Sequence, residues 1–398
     1  MPNKAEVFVH IEKSGIAQIA LSLFLVQASL GFEGQTWTSN NAPTLSWGYV
    51  ASSADGGKLA AAPLSGQLYV SPNGGATWNA TTSPSAGWTS LASSADGTVL
   101  VAASGFLDVS TDSGATWRQA FAGNRAACSA DGERLFSLLN SGDVYTSADK
   151  GVTWVPATAL PTPGAGIACS ADASRIVAIS INGALYASTN LGKTWSSNSV
   201  PGARWSSIAC SADGTKWVVA AGMANGQPGP IYFSMDSATN WNPAEAPITN
   251  WVGLSSSADG RNMFASTASD GPLNGANAIY RSTNFGANWT RLAAPTPWWR
   301  GMATSADGGR LVVAAIGSIY TAQFIQPPTL NILSTNASVR LSWIIPSTNF
   351  VLQETADLIS TNWTEVADTS SFDPTTYQES VTRPATGSNS FYRMTLAP

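Results

Sequence analysis

One histidine, His10, lies near the start of the chain, and only three cysteines occur in 398 residues. With no other imidazole, the rest of the chain cannot assemble a histidine metal site or a Ser-His-Asp triad. Charged side chains make up 11% of the sequence, whereas roughly a quarter is usual for a globular domain. The net charge is −5 and Lys and Arg are not clustered, which argues against nucleic acid or an anionic membrane surface as a partner. Long apolar runs are also missing. Ile16–Val26 (IAQIALSLFLV) is the one such stretch, short of the ~20 residues that span a bilayer. Lys4 and Lys13 precede it and Ala28 follows, the pattern of a secretory leader cleaved after Ala28. The long leading region with Glu6 and Glu12 keeps a second reading open, an amphipathic helix packed on the body of the protein. Export is the expectation, and residues 1–31 are read as a leader or an N-terminal extension.

What the chain has in quantity is repetition. Ser-Ala-Asp-Gly or a near-copy stands at Ser53–Gly56, Ser94–Gly97, Ser129–Gly132, Ser170–Ala173, Ser211–Gly214, Ser257–Gly260 and Ser305–Gly308, at intervals of 35 to 48 residues. Units of that length cannot bury their own apolar face and must stack or close radially. Each unit has short alternating and β-branched runs, such as Val99–Ala103, separated by Gly, Asn and Asp, so strands are predicted throughout. A second turn closes each unit: Ser71–Trp78, Ser110–Trp117, Ser147–Trp154 and Ser188–Trp195, with looser copies at Ser234–Trp241 and Ser282–Trp289. Its Asp or Asn accepts backbone hydrogen bonds, its Gly takes positive φ, and its Trp packs the turn down.

This Ser-x-Asp-x-Gly-x-Thr-Trp pattern resembles the Asp-box of sialidase-like (BNR) β-propellers, shared with sortilin-type receptors, xyloglucanases and a photosystem II assembly factor. The resemblance covers roughly residues 32–325 and implies four-stranded blades around a central channel. It does not imply sialidase activity, because in that family the Asp-box is a structural turn remote from the active site. Seven first turns face six complete second turns, and Gly34-Gln-Thr-Trp37 has the form of the missing tail. A seven-bladed propeller closed by strand exchange between the N-terminal segment and the last blade is predicted. After Pro327-Pro328 the repeat stops. Residues 326–398, with Leu341-Ser-Trp343, Asn362-Trp-Thr and Phe391-Tyr-Arg, resemble a small fibronectin type III-like β-sandwich.

Cys128, Cys169 and Cys210 each precede a Ser-Ala-Asp turn, where the other units hold Ser52, Ser93, Ser256 and Thr304. That pattern selects for size, so buried free thiols are expected rather than disulfides or a metal cluster. No cofactor is expected.

Glycoside hydrolysis needs two carboxylates facing each other across a sugar. Setting aside the Asp of the turns and the acids of both termini leaves Glu33, Asp108, Glu133, Asp143, Glu245 and Asp270. Of these, Asp143 with Asp270 forms the least implausible acid pair. Tyr69, Tyr145, Tyr186, Tyr232, Tyr280 and Tyr320 share one repeated position and read as packing; only Tyr49 is off-pattern in the repeat region. The Arg-Ile-Pro signature of sialidases is absent, and a binding protein is favoured over an enzyme.

Six residues before each first turn stand Trp47, Trp88, Trp205, Trp251 and Trp299, with Gly123 and Gly164 in units three and four. Two roles compete: a broken circle of rings for stacking a glycan or peptide, or wedges between blades. Together with Arg204, Arg300 and the long loops Gly222–Pro230 and Ser266–Ala278, the first role places a glycan or protein ligand on blades five to seven of a monomer. An assembly factor for a membrane complex and a divergent glycoside hydrolase are the rival functions.

Overall fold

The computed structural model describes residues 9–11, 35–198, 200, 204–222, 228–268, 277–324, 330–334, 338–344, 350–356, 362–384 and 390–396. The apolar run 16–26 and the boundary at 325/326 lie outside them. Every regular element among the described residues is a strand, as the alternating patterns and short Gly-punctuated runs dictate.

From Thr36 to Gln323 the strands form four-stranded antiparallel sheets, seven among the described residues. The first contains Trp47–Ser52, Leu59–Pro63, Tyr69–Ser71 and Asn79–Ala80, joined in that order. Five more follow with the same connectivity. The last takes Trp299–Thr304, Arg310–Ala315 and Ser318–Gln323 from the end of the repeats, and its outer strand, Thr36–Ser39, from their beginning. Trp37 stands opposite Ala322 in that pairing, and Ser39 and Ser318 join hydroxyls at 2.9 Å. The second strands, such as Leu59–Pro63 and Trp217–Ala221, are buried along their whole length, as expected for strands covered on both faces.

The first turns join the sheets into a ring. Each alanine of the motif donates its backbone N–H to the carbonyl of the alanine in the next sheet: Ala54 to Ala95, Ala95 to Ala130, Ala130 to Ala171, Ala171 to Ala212, Ala212 to Ala258, Ala258 to Ala306, and Ala306 back to Ala54, all at 2.7–2.8 Å. The circuit has no free end. This is a β-propeller, its sheets arranged around an axial channel.

Inside each first turn one hydroxyl and one carboxylate do most of the bonding. Ser94 Oγ donates to Asp96 Oδ1 at 2.6 Å and accepts from the Val99 amide at 2.9 Å, while Asp96 Oδ1 accepts from the Thr98 amide. The turn's fourth residue has positive φ, which glycine tolerates. Ala173 takes φ 58° in the fourth copy, with a steric penalty of roughly 1 kcal/mol. The second turns are equally uniform. Ser110 Oγ donates to Asp112 Oδ1 and accepts from the Gly114 amide, and Asp112 accepts from the Thr116 amide and hydroxyl. Trp117, Trp154 and Trp289 then donate to the carbonyl of the turn glycine.

Beyond the propeller, Asn331–Ser334, Ser338–Ile344, Gln378–Pro384 and Ser371–Asp373 make one four-stranded sheet. Phe350–Thr355, Thr364–Glu365, Ser390–Leu396 and, from the far end of the chain, Val9–Ile11 make another. Leu341, Trp343, Leu352, Val381, Tyr392 and Met394 from these strands pack into one buried cluster.

The first-turn carboxylates differ by environment. Burial opposes ionisation of Asp96, Asp172 and Asp213, yet the hydrogen bonds they accept outweigh it and hold them below the usual range. At Asp307 burial wins and lifts the carboxyl to about 6, despite bonds from Ser305 and the Gly309 amide. A folded pKa above the unfolded 3.8 means that this site favours folding only while protonated. That contribution fades as pH rises from about 4 to about 6, and above it the ionised group opposes folding. Asp307→Asn, which keeps an acceptor oxygen for both bonds, is therefore expected to be more stable than the parent above pH 6, by about 1–3 kcal/mol. Thermal melts from pH 4 to 7 check this, and the gap should close toward pH 4.

Candidate functional site

The sequence placed five Trp at the start of the inner strands, and the structure buries all five. Trp47, Trp251 and Trp299 are fully covered and Trp88 and Trp205 nearly so. For four of them the cause is a contact within the sheet between the first-strand Trp and the repeated third-strand Tyr, while Trp88 packs against Ala62, Leu68, Ala102 and Tyr49. Trp47 meets Tyr69 edge-on at 5.3 Å, Trp251 meets Tyr280 at 5.2 Å, Trp299 meets Tyr320 at 5.2 Å, and Trp205 meets Tyr232 at 6.0 Å. The second-turn Trp completes the cluster, with Trp78 against Trp47 and Trp289 against Trp251. Trp37 stands against Trp299 in the same way, so the N-terminal strand brings its own copy of that ring. These indoles are covered by their neighbours, although Trp205 and Trp251 belong to the lining of the axial cavity.

The units without this Trp fill its place from elsewhere. In unit three, Phe121 lies 4.7 Å from Tyr145 and stacks on Trp154 at 5.3 Å. In unit four, Leu160 joins Tyr186 and Trp195. A Cβ on Gly123 or Gly164 would come within 2.7 Å of Leu107 or Leu138, so those positions are closed to any larger residue. In unit two Asp108 replaces the Tyr; it is buried, and burial raises its carboxyl above the usual range.

Around the axis lies a cavity of about 990 Å³, lined by the starts of the first strands and by the loops between second and third strands. Among the described residues its charged lining is Arg125, Arg204 and Arg300, with no acidic side chain. Arg125 donates to the Ala165 and Asn124 carbonyls at 2.8 Å, which fixes its guanidinium across two strands. Arg204 is exposed, and Arg300 Nε is buried without a partner. None of the three is in an ion pair among the described residues. Two half-buried cations and one exposed one, with no counter-charge among the described residues, make a site for an anion.

The rim is apolar. Leu64, Phe106, Ile181 and Ile316, at the tips between second and third strands, are exposed, as are Ile248 and Trp298 in the segments leading into the first strands. Strand alternation explains the last: with Trp299 inside, its neighbour Trp298 points out. Turn tips are normally polar, and apolar residues at so many of them were the signal that sequence reading passed over.

Of the acid pair, only Asp143 lies among the described residues. Asp143 is exposed, accepts from Ser141 Oγ at 2.6 Å, and is not part of the cavity lining. Asp270, with residues 269–276 and 223–227 of the two long loops, lies outside the described residues. Glu133 pairs with Lys150 at 3.1 Å in the turns at the other end of the propeller, and Glu245 accepts from Asn288 of a second turn. Tyr49 lines the cavity without an acid beside it. No group of three or more His, Cys, Asp or Glu among the described residues is arranged to hold a metal ion.

The thiols are unpaired. Cys169 Sγ donates to the Cys128 carbonyl and Cys210 Sγ to the Cys169 carbonyl. Burial of the sulfur pushes Cys169 up to about 12 and the other two well above the usual thiol value. Their side chains border the channel rather than filling the core.

No family profile and no curated protein matches the chain. Solved structures do match in fold. A GH74 xyloglucanase from Xanthomonas campestris is 17% identical, with TM-score 0.59 over 78% of this chain and 59% of its own, so this chain spans well under two thirds of that enzyme. YCF48 bound to D1 peptide is 15% identical, with TM-score 0.57 over 75% of this chain and 97% of its own. The β-propeller domain of Myceliophteria thermophila Cps50 (Swd1) is 16% identical, with TM-score 0.56 over 72% and 99%. The neighbours include an enzyme and proteins with no enzymatic title, so the likeness speaks for the fold alone. No described helix is long and apolar enough to cross a membrane.

The burial of the Trp rings has a measurable consequence. Trp251→Ala is expected to lower stability by about 3–5 kcal/mol while leaving ligand affinity unchanged. Chemical denaturation followed by Trp fluorescence measures the first and a binding titration the second; a loss of affinity at unchanged stability would restore the stacking role.

Proposed function

We propose that this protein is a non-enzymatic binding module: a seven-bladed Asp-box propeller with a fibronectin type III-like unit, exported, that holds an acidic protein segment in its axial cavity. The observation that carries the reading is the set Arg125, Arg204 and Arg300 around one cavity, with no ion pair and no acid in the lining among the described residues. A carboxylate there meets donors in fork geometry already partly fixed by Arg125's two carbonyl bonds. The apolar rim of Leu64, Phe106, Ile181, Ile248, Trp298 and Ile316 favours a polypeptide with apolar side chains over a bare glycan, since exposed apolar surface gathered at one face marks protein contact.

Seven sheets and the closed alanine circuit support the blade count, and the repeated Ser-Asp-Gly-Trp hydrogen-bond pattern supports the Asp-box assignment. Export rests on the leader-like residues 16–26. The pairing of Val9–Ile11 with Ser390–Leu396 sets a direct test of it: a mature N-terminus at Ser29 removes that strand, and mass spectrometry of the exported protein reads which form exists.

A fluorescent peptide alternating Glu or Asp with Leu or Phe, compared with its Gln/Asn counterpart, tests the ligand class. The acidic peptide is expected to bind more tightly, to lose affinity with rising salt, and to bind about tenfold more weakly to Arg300→Ala or Arg204→Ala, or ~1.4 kcal/mol per arginine. Equal binding of the neutral peptide overturns the reading. So does turnover of a chromogenic glycoside panel that Asp143→Asn or Asp270→Asn abolishes, which would identify a hydrolase.

A further inference from the structure

At the opposite end of the channel from the arginines, seven small side chains encircle the axis: Ser52, Ser93, Cys128, Cys169, Cys210, Ser256 and Thr304. The space they enclose is about 130 Å³; serines and alanines of the first turns complete its wall, together with one residue from outside the propeller, Tyr377. Tyr377 sits in the turn between Ser371–Asp373 and Gln378–Pro384, more than fifty residues beyond the last propeller strand. Its ring, with Ile344 at the end of Ser338–Ile344, packs against the alanine circle of Ala54, Ala95, Ala130, Ala171, Ala258 and Ala306.

The backbone at this residue is unusual. Tyr377 has φ 55°, and every other described non-glycine residue with positive φ belongs to one of the repeated turns. A left-handed conformation costs a side-chain-bearing residue roughly 1 kcal/mol and persists only where surrounding contacts hold it. Asp373 braces the turn by accepting from the Thr375 amide at 2.8 Å and its hydroxyl at 2.7 Å. Burial pushes the Tyr377 hydroxyl well above the usual phenol value, with the three cysteines among the neighbouring groups that raise it.

We propose that the C-terminal unit is the stopper of the propeller, with Tyr377 as the pin that enters the ring of alanines, closes that end of the channel and screens the thiols from that side, Cys210 above all, since Cys128 and Cys169 also line the arginine-side cavity. The seven-fold ring of small residues leaves an axial hole that no propeller side chain fills, and one phenol ring from the appended unit occupies it. The axial cavity then opens only at the arginine face.

The test reads labelling of Cys210, the thiol of the three that the arginine-side cavity does not include, by a small charged maleimide in the full-length protein, with each cysteine followed by peptide mapping. The parent and Tyr377→Phe, which keeps the ring, are expected to label slowly at Cys210. Tyr377→Ala is expected to label there at least tenfold faster with an unchanged melt of the propeller. A Tyr377→Ala variant that labels at Cys210 no faster than the parent overturns the proposal, as does rapid labelling of Cys210 in the folded parent. Should Tyr377→Ala fail to fold, Tyr377→Cys treated with a short bismaleimide decides the matter. A digest joining the peptide of position 377 to one bearing Cys128, Cys169 or Cys210 supports the pin, and its absence overturns it.

Discussion

Seven short hydrogen bonds between alanine backbones hold the inner rim of this protein together, and each depends on the two beside it. An N–H donated from one sheet and a carbonyl accepting from the next leave no terminal partner unsatisfied, so the ring has none of the open edges that a row of sheets would present. The spacing of those bonds leaves room for a methyl group and little more. The alanine of each first turn is thus the part of the motif on which closure depends, while its serine and aspartate shape the turn that presents it. The space left on the axis follows from the same constraint: small residues are needed where seven strands converge, and they enclose a hole.

Farther out, the aromatic clusters carry the burial. In the first and sixth sheets a first-strand Trp, a third-strand Tyr and a second-turn Trp meet, and Trp37 completes the same trio in the last, contributing apolar area together with edge-to-face geometry that fixes their orientation. The scarcity of charge fits this arrangement. Strands covered on both faces have few positions where a charge stays solvated, and among the described residues the charges lining the axial cavity are all of one sign.

The strands, the turns, the sheet order and the N-terminal tail opposite the last repeat were legible because each depends on local periodicity. Trp47 and its equivalents were visible as a pattern, but whether they faced a ligand or the core turned on Tyr69 and its equivalents, which are distant in sequence and close in space. Phe121 and Leu160 were not legible as their substitutes, since they reach the same spot from residues outside the six-residue spacing. Arg204 and Arg300 were singled out for the ligand and Arg125 was not. That the three share one cavity shows only when the repeats are closed into a ring. Tyr377 carried no signal at all: it belongs to no repeat, and its contact spans two units.

The outer strand Thr36–Ser39 pairs with Ser318–Gln323, so the two ends of the repeat array must meet across more than 270 residues before the last sheet is complete. Loop closure over such a span adds only logarithmically to the entropy cost, but it sets an order of events. Synthesised from the N-terminus, Thr36–Ser39 has no partner until the final repeat has emerged, and Trp37 has no Trp299 to meet. The six intervening sheets are built from near neighbours and are free to form early, whereas the circuit of alanine bonds gains its last two members only at that late encounter. Assembly is thus graded along the chain and concluded in one long-range step, which makes the seam between first and last repeats the natural place for the ring to reopen.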